Sequence, residues 1–132
     1  MLSFLKGFRK KQERTIVHSS QAMSELERLC GDDKQTYEAL HHTMFLDPRK
    51  IGASVKDAAE NAKKFAKEKN LYRARVWYDI AGGLAIYEGD VKRVVEFFGE
   101  SQKISGVKYP ILNDADKAVA KAQEYYKKYL KS

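Results

Sequence analysis

The sequence predicts an all-α fold, a stack of antiparallel helical hairpins built from about six to seven helices. Three observations predict it. Apolar residues recur at intervals of three, four and seven along most of the chain, which places them on one face of successive helices. Composition favours helix throughout, because Ala, Lys and Glu are plentiful and only two prolines interrupt 132 residues. Capping and terminating residues fall between the periodic segments, and no segment alternates apolar with polar residues long enough to make a strand. A hydrophobic content of 43% fits one modest core, so residues 15–132 are expected to form one domain behind a basic amphipathic segment at 1–14.

The elements follow in order. MLSFLKGFRKK sets Leu2, Phe4, Leu5 and Phe8 beside Lys6, Arg9, Lys10 and Lys11, with Arg14 beyond. That composition suits a basic amphipathic helix that lies on a membrane, covers a hydrophobic groove, or docks on the domain's own core. Ile16, Met23, Leu26 and Cys30 share a helical face that Gly31 ends. Asp33 caps the next helix, in which Tyr37, Leu40, His41, Met44 and Phe45 keep helical spacing until Asp47-Pro48. Ser54 with Asp57 forms a capping box ahead of a small-residue face at Val55, Ala58, Ala59, Ala62, Phe65 and Ala66. Asn70 is the expected left-handed stop. Leu71 opens a long helix through Glu88, Gly89-Asp90 ends it and caps its successor, and Val91, Val94, Val95 and Phe98 line that successor. Pro110 keeps Ser105–Asn113 out of helix. Asn113 or Asp114 opens the last helix, whose buried side is Ala115, Ala118, Val119, Ala122, Tyr125, Tyr126 and Tyr129.

Charge is unevenly placed. Of the net +7, residues Lys6 to Arg14 contribute five bases against one acid, so the basicity belongs largely to the N-terminal segment. The longest apolar run, Ile80 to Tyr87, is far short of the roughly 20 residues a membrane span needs. A lone cysteine and the lack of a cleavable secretory signal lead to the expectation of a reducing, cytoplasmic setting.

Residues 74–104, ARVWYDIAGGLAIYEGDVKRVVEFFGESQKI, carry a family likeness. This stretch resembles a degenerate tetratricopeptide repeat: Trp77 stands at the first aromatic position, Ile80 at the large one and Ala81 at the small one. Gly89-Asp90 falls at the inter-helix turn, and Val94, Phe98 and Ser101 fall where the second helix carries alanine, an aromatic and alanine. The proline that normally closes the repeat is missing. A shift of 36 residues sets Ser54 under Asp90 and Ala62 under Phe98, so Asp33 to Asn70 is expected to be a diverged first hairpin. The resemblance implies a non-enzymatic protein-interaction scaffold, with Tyr72, Arg73, Asp79 and Tyr87 as candidate contacts for a protein or peptide partner.

Gly82-Gly83 has neither phosphate-loop spacing. Two glycines inside a helix cost about 2 kcal/mol relative to alanine, which close helix approach would offset; the alternative is a kink that opens a peptide groove. Glu38 and His41 have the E-x-x-H spacing of carboxylate-bridged metal bundles, but no second such motif accompanies them. Cys30 reads as a small core residue without an acid–base partner. No catalytic residue, cofactor or metal is therefore assigned. Other partners stay open: a second copy of the chain through exposed end helices, nucleic acid through basic residues interleaved with Tyr125, Tyr126 and Tyr129, and an anionic surface through Lys6, Arg9, Lys10, Lys11 and Arg14.

Overall fold

The computed structural model of the chain describes residues 25–44 and 47–130. Among these there are six α-helical segments and no strand. They are α1 (residues 25–30), α2 (Lys34–His41), α3 (Val55–Lys67), α4 (Leu71–Glu88), α5 (Val91–Ser105) and α6 (Ala115–Tyr129), with 3-10 turns at Pro48–Lys50 and Pro110–Asn113. The N-terminal segment with Lys6, Arg9, Lys10, Lys11 and Arg14 lies outside the described residues.

Helix boundaries rest on local hydrogen bonds. Side chains of Asp33, Ser54, Asn70, Asp90 and Asp114 each accept the backbone N–H three residues on, opening α2 through α6 in turn. Gly31, Gly89 and Gly106 take the left-handed conformation at the ends of α1, α4 and α5. After α3 the left-handed residue is Lys69 (φ 61°), not Asn70, whose side chain instead caps α4. Lysine is strained there because its Cβ crowds the carbonyl. Lys69→Gly is accordingly expected to raise stability by about 1 kcal/mol, read as a shift of the urea midpoint at unchanged slope.

Packing centres on α4. A connection of three residues joins α3 to α4 and one of two residues joins α4 to α5, so the three run antiparallel with α4 in the middle. Val55, Ala58, Ala59 and Ala62 of α3 share one buried cluster with Tyr78, Ile80, Ala81 and Leu84 of α4 and Phe97 of α5. A second cluster joins Ala85 and Ile86 of α4 and Phe98 of α5 to Leu26, Leu40, Ile111 and the inner face of α6. Because neighbours lie on several sides of α4, its apolar residues run nearly all round it. Gly82 explains how closely α5 approaches: a Cβ there would lie 2.6 Å from the Phe98 ring.

The first half of the domain departs from the expected repeat. α2 ends at His41 rather than at Asp47, because the chain turns at Thr43, whose hydroxyl donates to Ala39 O at 2.9 Å. Met44 is nevertheless buried, so apolar spacing outlasts the helix. Nor do α2 and α3 form a hairpin: α2 packs on α6 and on the Pro110–Asn113 turn, and Lys117 of α6 pairs with the cap residue Asp33 at 2.8 Å. The long connection frees α2 to join the other cluster.

Candidate functional site

The last turn of α4 and the C-terminal two-thirds of α6, as far as Leu130, border a shallow groove of about 590 Å³. Tyr87, Ala120, Gln123, Tyr126 and Leu130 line it, with Glu124 and Lys127 among its polar residues. Its floor is held by one side chain. Gln123 Nε2 donates to Ile86 O at 2.7 Å and to Tyr87 O at 2.9 Å, adding a side-chain donor to the last carbonyls of α4, where Ile86 O also accepts the Gly89 N–H. The left-handed Gly89 keeps that amide close; a Cβ there would lie 3.4 Å from Gln123 Cδ.

Aromatic geometry fixes the walls. The Tyr87 and Tyr126 rings meet edge-to-face at 5.0 Å, and Tyr125 packs behind against Tyr129 at 4.9 Å. Tyr87 is 39% exposed whereas Tyr126 is buried, so Tyr87 offers the accessible ring. Burial pushes the Tyr126 hydroxyl far above its ordinary pKa, so it stays neutral. Glu124 is paired with Lys121 at 2.8 Å, and Lys127 is exposed. The groove thus presents an aromatic wall, an aliphatic end at Leu130 and a polar edge.

The residues singled out from the sequence are distributed along α4. Tyr87 lies in the groove. Tyr72 and Arg73 stand about 22 Å away at the opposite end of the helix, at 1.5 Å per residue; Tyr72 is 64% exposed and the Arg73 guanidinium lies 5.4 Å from the Phe65 ring centre. Asp79 turns toward α5. Its Oδ1 accepts the Tyr109 hydroxyl at 2.8 Å, and that hydroxyl in turn accepts Arg75 Nε at 3.0 Å. Burial raises the Asp79 pKa, opposed by the nearby Ser101 and Tyr109 hydroxyls and by Arg75. Ser101 Oγ is fully buried beside it without a hydrogen bond of ordinary geometry.

Other chemistry-bearing residues are dispersed. Glu38 pairs with His42 at 3.3 Å on the exposed side of α2, while His41 stacks on Tyr37. Cys30 is buried, and desolvation raises its thiol pKa, which disfavours the nucleophilic thiolate. Among the described residues no three of His, Cys, Asp and Glu gather around a common point, and no helix is long and apolar enough to cross a membrane.

Among the groove residues that sequence reasoning missed, with Ala120 and Leu130, Gln123 matters most because it bonds α6 to α4. Its signal is faint: a long amide following the buried Ala122, four residues beyond Val119 and three before Tyr126. Tyr109 was missed too, because nothing local reveals that a tyrosine in an irregular connection folds back between two helices. Compared with models of known families, with curated proteins and with solved structures, the chain matches none.

Proposed function

We propose that the protein is a non-enzymatic helical interaction module, a TPR-like scaffold working in the cytoplasm, and that the α4–α6 groove receives a segment of a protein partner. The groove with Tyr87 on its wall is the observation that carries this reading. An exposed aromatic beside an aliphatic end and a polar edge suits one apolar anchor residue, and Lys127 favours a carboxylate next to that anchor. The TPR-like element is supported by the α4–α5 hairpin, in which Ala81, Val94, Phe98 and Ser101 are all buried at the repeat's packing positions. Free Cys30 accords with a reducing compartment.

Panning a displayed random-peptide library against the full chain tests the proposal. Peptides pairing an aromatic or long aliphatic residue with an adjacent acid are expected to be enriched, and Tyr87→Ala should weaken them about tenfold or more, the loss of a modest hot spot. Enrichment that ignores Tyr87→Ala, or no enrichment above background, overturns it.

A further inference from the structure

The opposite end of the helical stack has a different chemistry. There α3 gives way to α4 through residues 68–70, and the end of α5 returns alongside. The return is fixed by Tyr109, whose backbone N–H donates to Gln102 Oε1 at 3.0 Å while its hydroxyl joins Arg75 and Asp79 of α4. Leu71 lies one turn before Arg75 on the same stripe, and Tyr72 flanks it, so both border the face of α4 that meets the 106–109 loop.

Exposed apolar side chains concentrate here. Among the described residues five large apolar side chains are exposed, and three of them belong to this end: Leu71 at 51%, Tyr72 at 64% and Val107 at 50%. Lysines share this end of the stack. Lys64, Lys67, Lys69 and Lys108 are all exposed, whereas Lys103 is paired with Glu100, and the acid within the turn is Glu68. Lys69 keeps its place at the tip in a strained backbone conformation that glycine would occupy more easily.

We propose that this end docks on anionic lipid bilayers, with Leu71, Tyr72 and Val107 entering the headgroup–acyl boundary and the four lysines facing lipid phosphates. Two of the three apolar groups are aliphatic and have no face on which a base would stack, which disfavours a nucleic acid. They also stand on helix turns and a loop, where a fluid interface can close around them. Lysine stems lie along apolar surface while their ammonium groups reach outward, and tyrosine favours the headgroup level. The charge of the end complements an anionic leaflet. The surface is independent of the α4–α6 groove, so either proposal survives failure of the other.

Co-sedimentation of the full chain with phosphatidylcholine vesicles, with and without phosphatidylserine, tests this. Binding is expected with phosphatidylserine and weakly or not at all without it. Leu71→Ser with Val107→Ser should lower the partition coefficient by roughly tenfold or more. Each lysine replaced by glutamine should lower it about fivefold at low salt, and less as salt rises. Lys69→Gly is the variant that separates binding from folding: it should bind less tightly while unfolding no more readily than the parent chain. Equal binding to both vesicle types overturns the proposal, as do variants that bind like the parent, the result if residues 1–14 alone hold the vesicle. Binding to a single-stranded oligonucleotide in place of vesicles, weakened by the same variants, also overturns it.

Discussion

Gly82→Val is expected to destabilise the fold by about 3 kcal/mol, whereas Gly83→Ala, one residue along the same helix, should stabilise it by up to about 1 kcal/mol. The difference lies in what each new side chain meets. A Cβ on Gly82 would come within 2.6 to 2.8 Å of three atoms of the Phe98 ring. That ring has little room to yield: it is 1% exposed and stacked on Tyr109 at 5.6 Å. Valine adds two further carbons beyond the clash and is stiff at χ1. A Cβ on Gly83 meets only Thr43 O at 3.7 Å, an ordinary contact, so alanine there keeps the gain in helix propensity. Gly82→Ala should fall between, its propensity gain partly offsetting about 1–3 kcal/mol of overpacking.

A double-mutant cycle makes the cause specific. Phe98→Leu alone removes ring packing, but in the Gly82→Ala background it also opens space for the new methyl. The two substitutions should therefore cost less together than the sum of their separate costs, by about 1 kcal/mol or more. Urea denaturation of the four proteins measures this. Strict additivity would mean that α4 and α5 are not held together at this contact.

How much of this was legible in the sequence depends on the range over which each feature is determined. Ser54, Asp90 and Asp114 announce their helices because a cap is a bond to a residue three positions away. The α4–α5 hairpin could be read for a similar reason, since two residues separate its helices and Gly89 has few other uses. By contrast, the partner of α2 depends on which cluster Leu40 and Met44 enter, a choice made by tertiary packing. Spacing carried straight on through Met44, so the end of α2 was misplaced. Lys69 was hidden because lysine seldom occupies the left-handed region and Asn70 offered a better-known signal. Of the candidate sites, Tyr87 was put forward only as a contact on the first helix of a repeat-like hairpin, and its groove needs α6 brought alongside, where Gln123 bonds to the end of α4. Similarly Leu71, Tyr72 and Val107 become one surface only after α5 has folded back.

Asp79 offers the other large effect. Tyr109→Phe should destabilise the protein by about 2 kcal/mol near neutral pH, because it takes the well-aligned Tyr109 O–H from a largely buried carboxylate and leaves only the nearby Ser101 hydroxyl and Arg75. The phenyl ring can keep its stacking on Phe98, so the change is confined to the hydroxyl. Arg75 limits the loss: its Nε already lies 4.0 Å from Asp79 Oδ2 and can move closer once Tyr109 no longer intervenes. The effect should depend on pH. Burial raises the Asp79 pKa above its ordinary 3.8, so the native state binds this proton more tightly than the unfolded chain. Ionised Asp79 thus costs stability above its native pKa, and that cost disappears as the pH falls through the native pKa towards 3.8. Asp33 works in the opposite sense. Its hydrogen bonds to Lys117 and Thr36 lower its pKa to about 2, so its contribution is present above 3.8 and is lost as the pH falls towards 2. Comparing Tyr109→Phe with the parent chain at each pH cancels the Asp33 contribution and leaves that of Asp79. Loss of a donor to the charged form should raise the Asp79 pKa further, so the gap between the two proteins is expected to narrow as the pH drops from about 7 to about 4. Asp79→Asn, which retains an acceptor for Tyr109 without the buried charge, should abolish that narrowing when Tyr109→Phe is added to it. A gap that stays constant across the range would assign the whole cost of Tyr109→Phe to packing, and the carboxylate would then play no part in holding the 106–109 loop against α4.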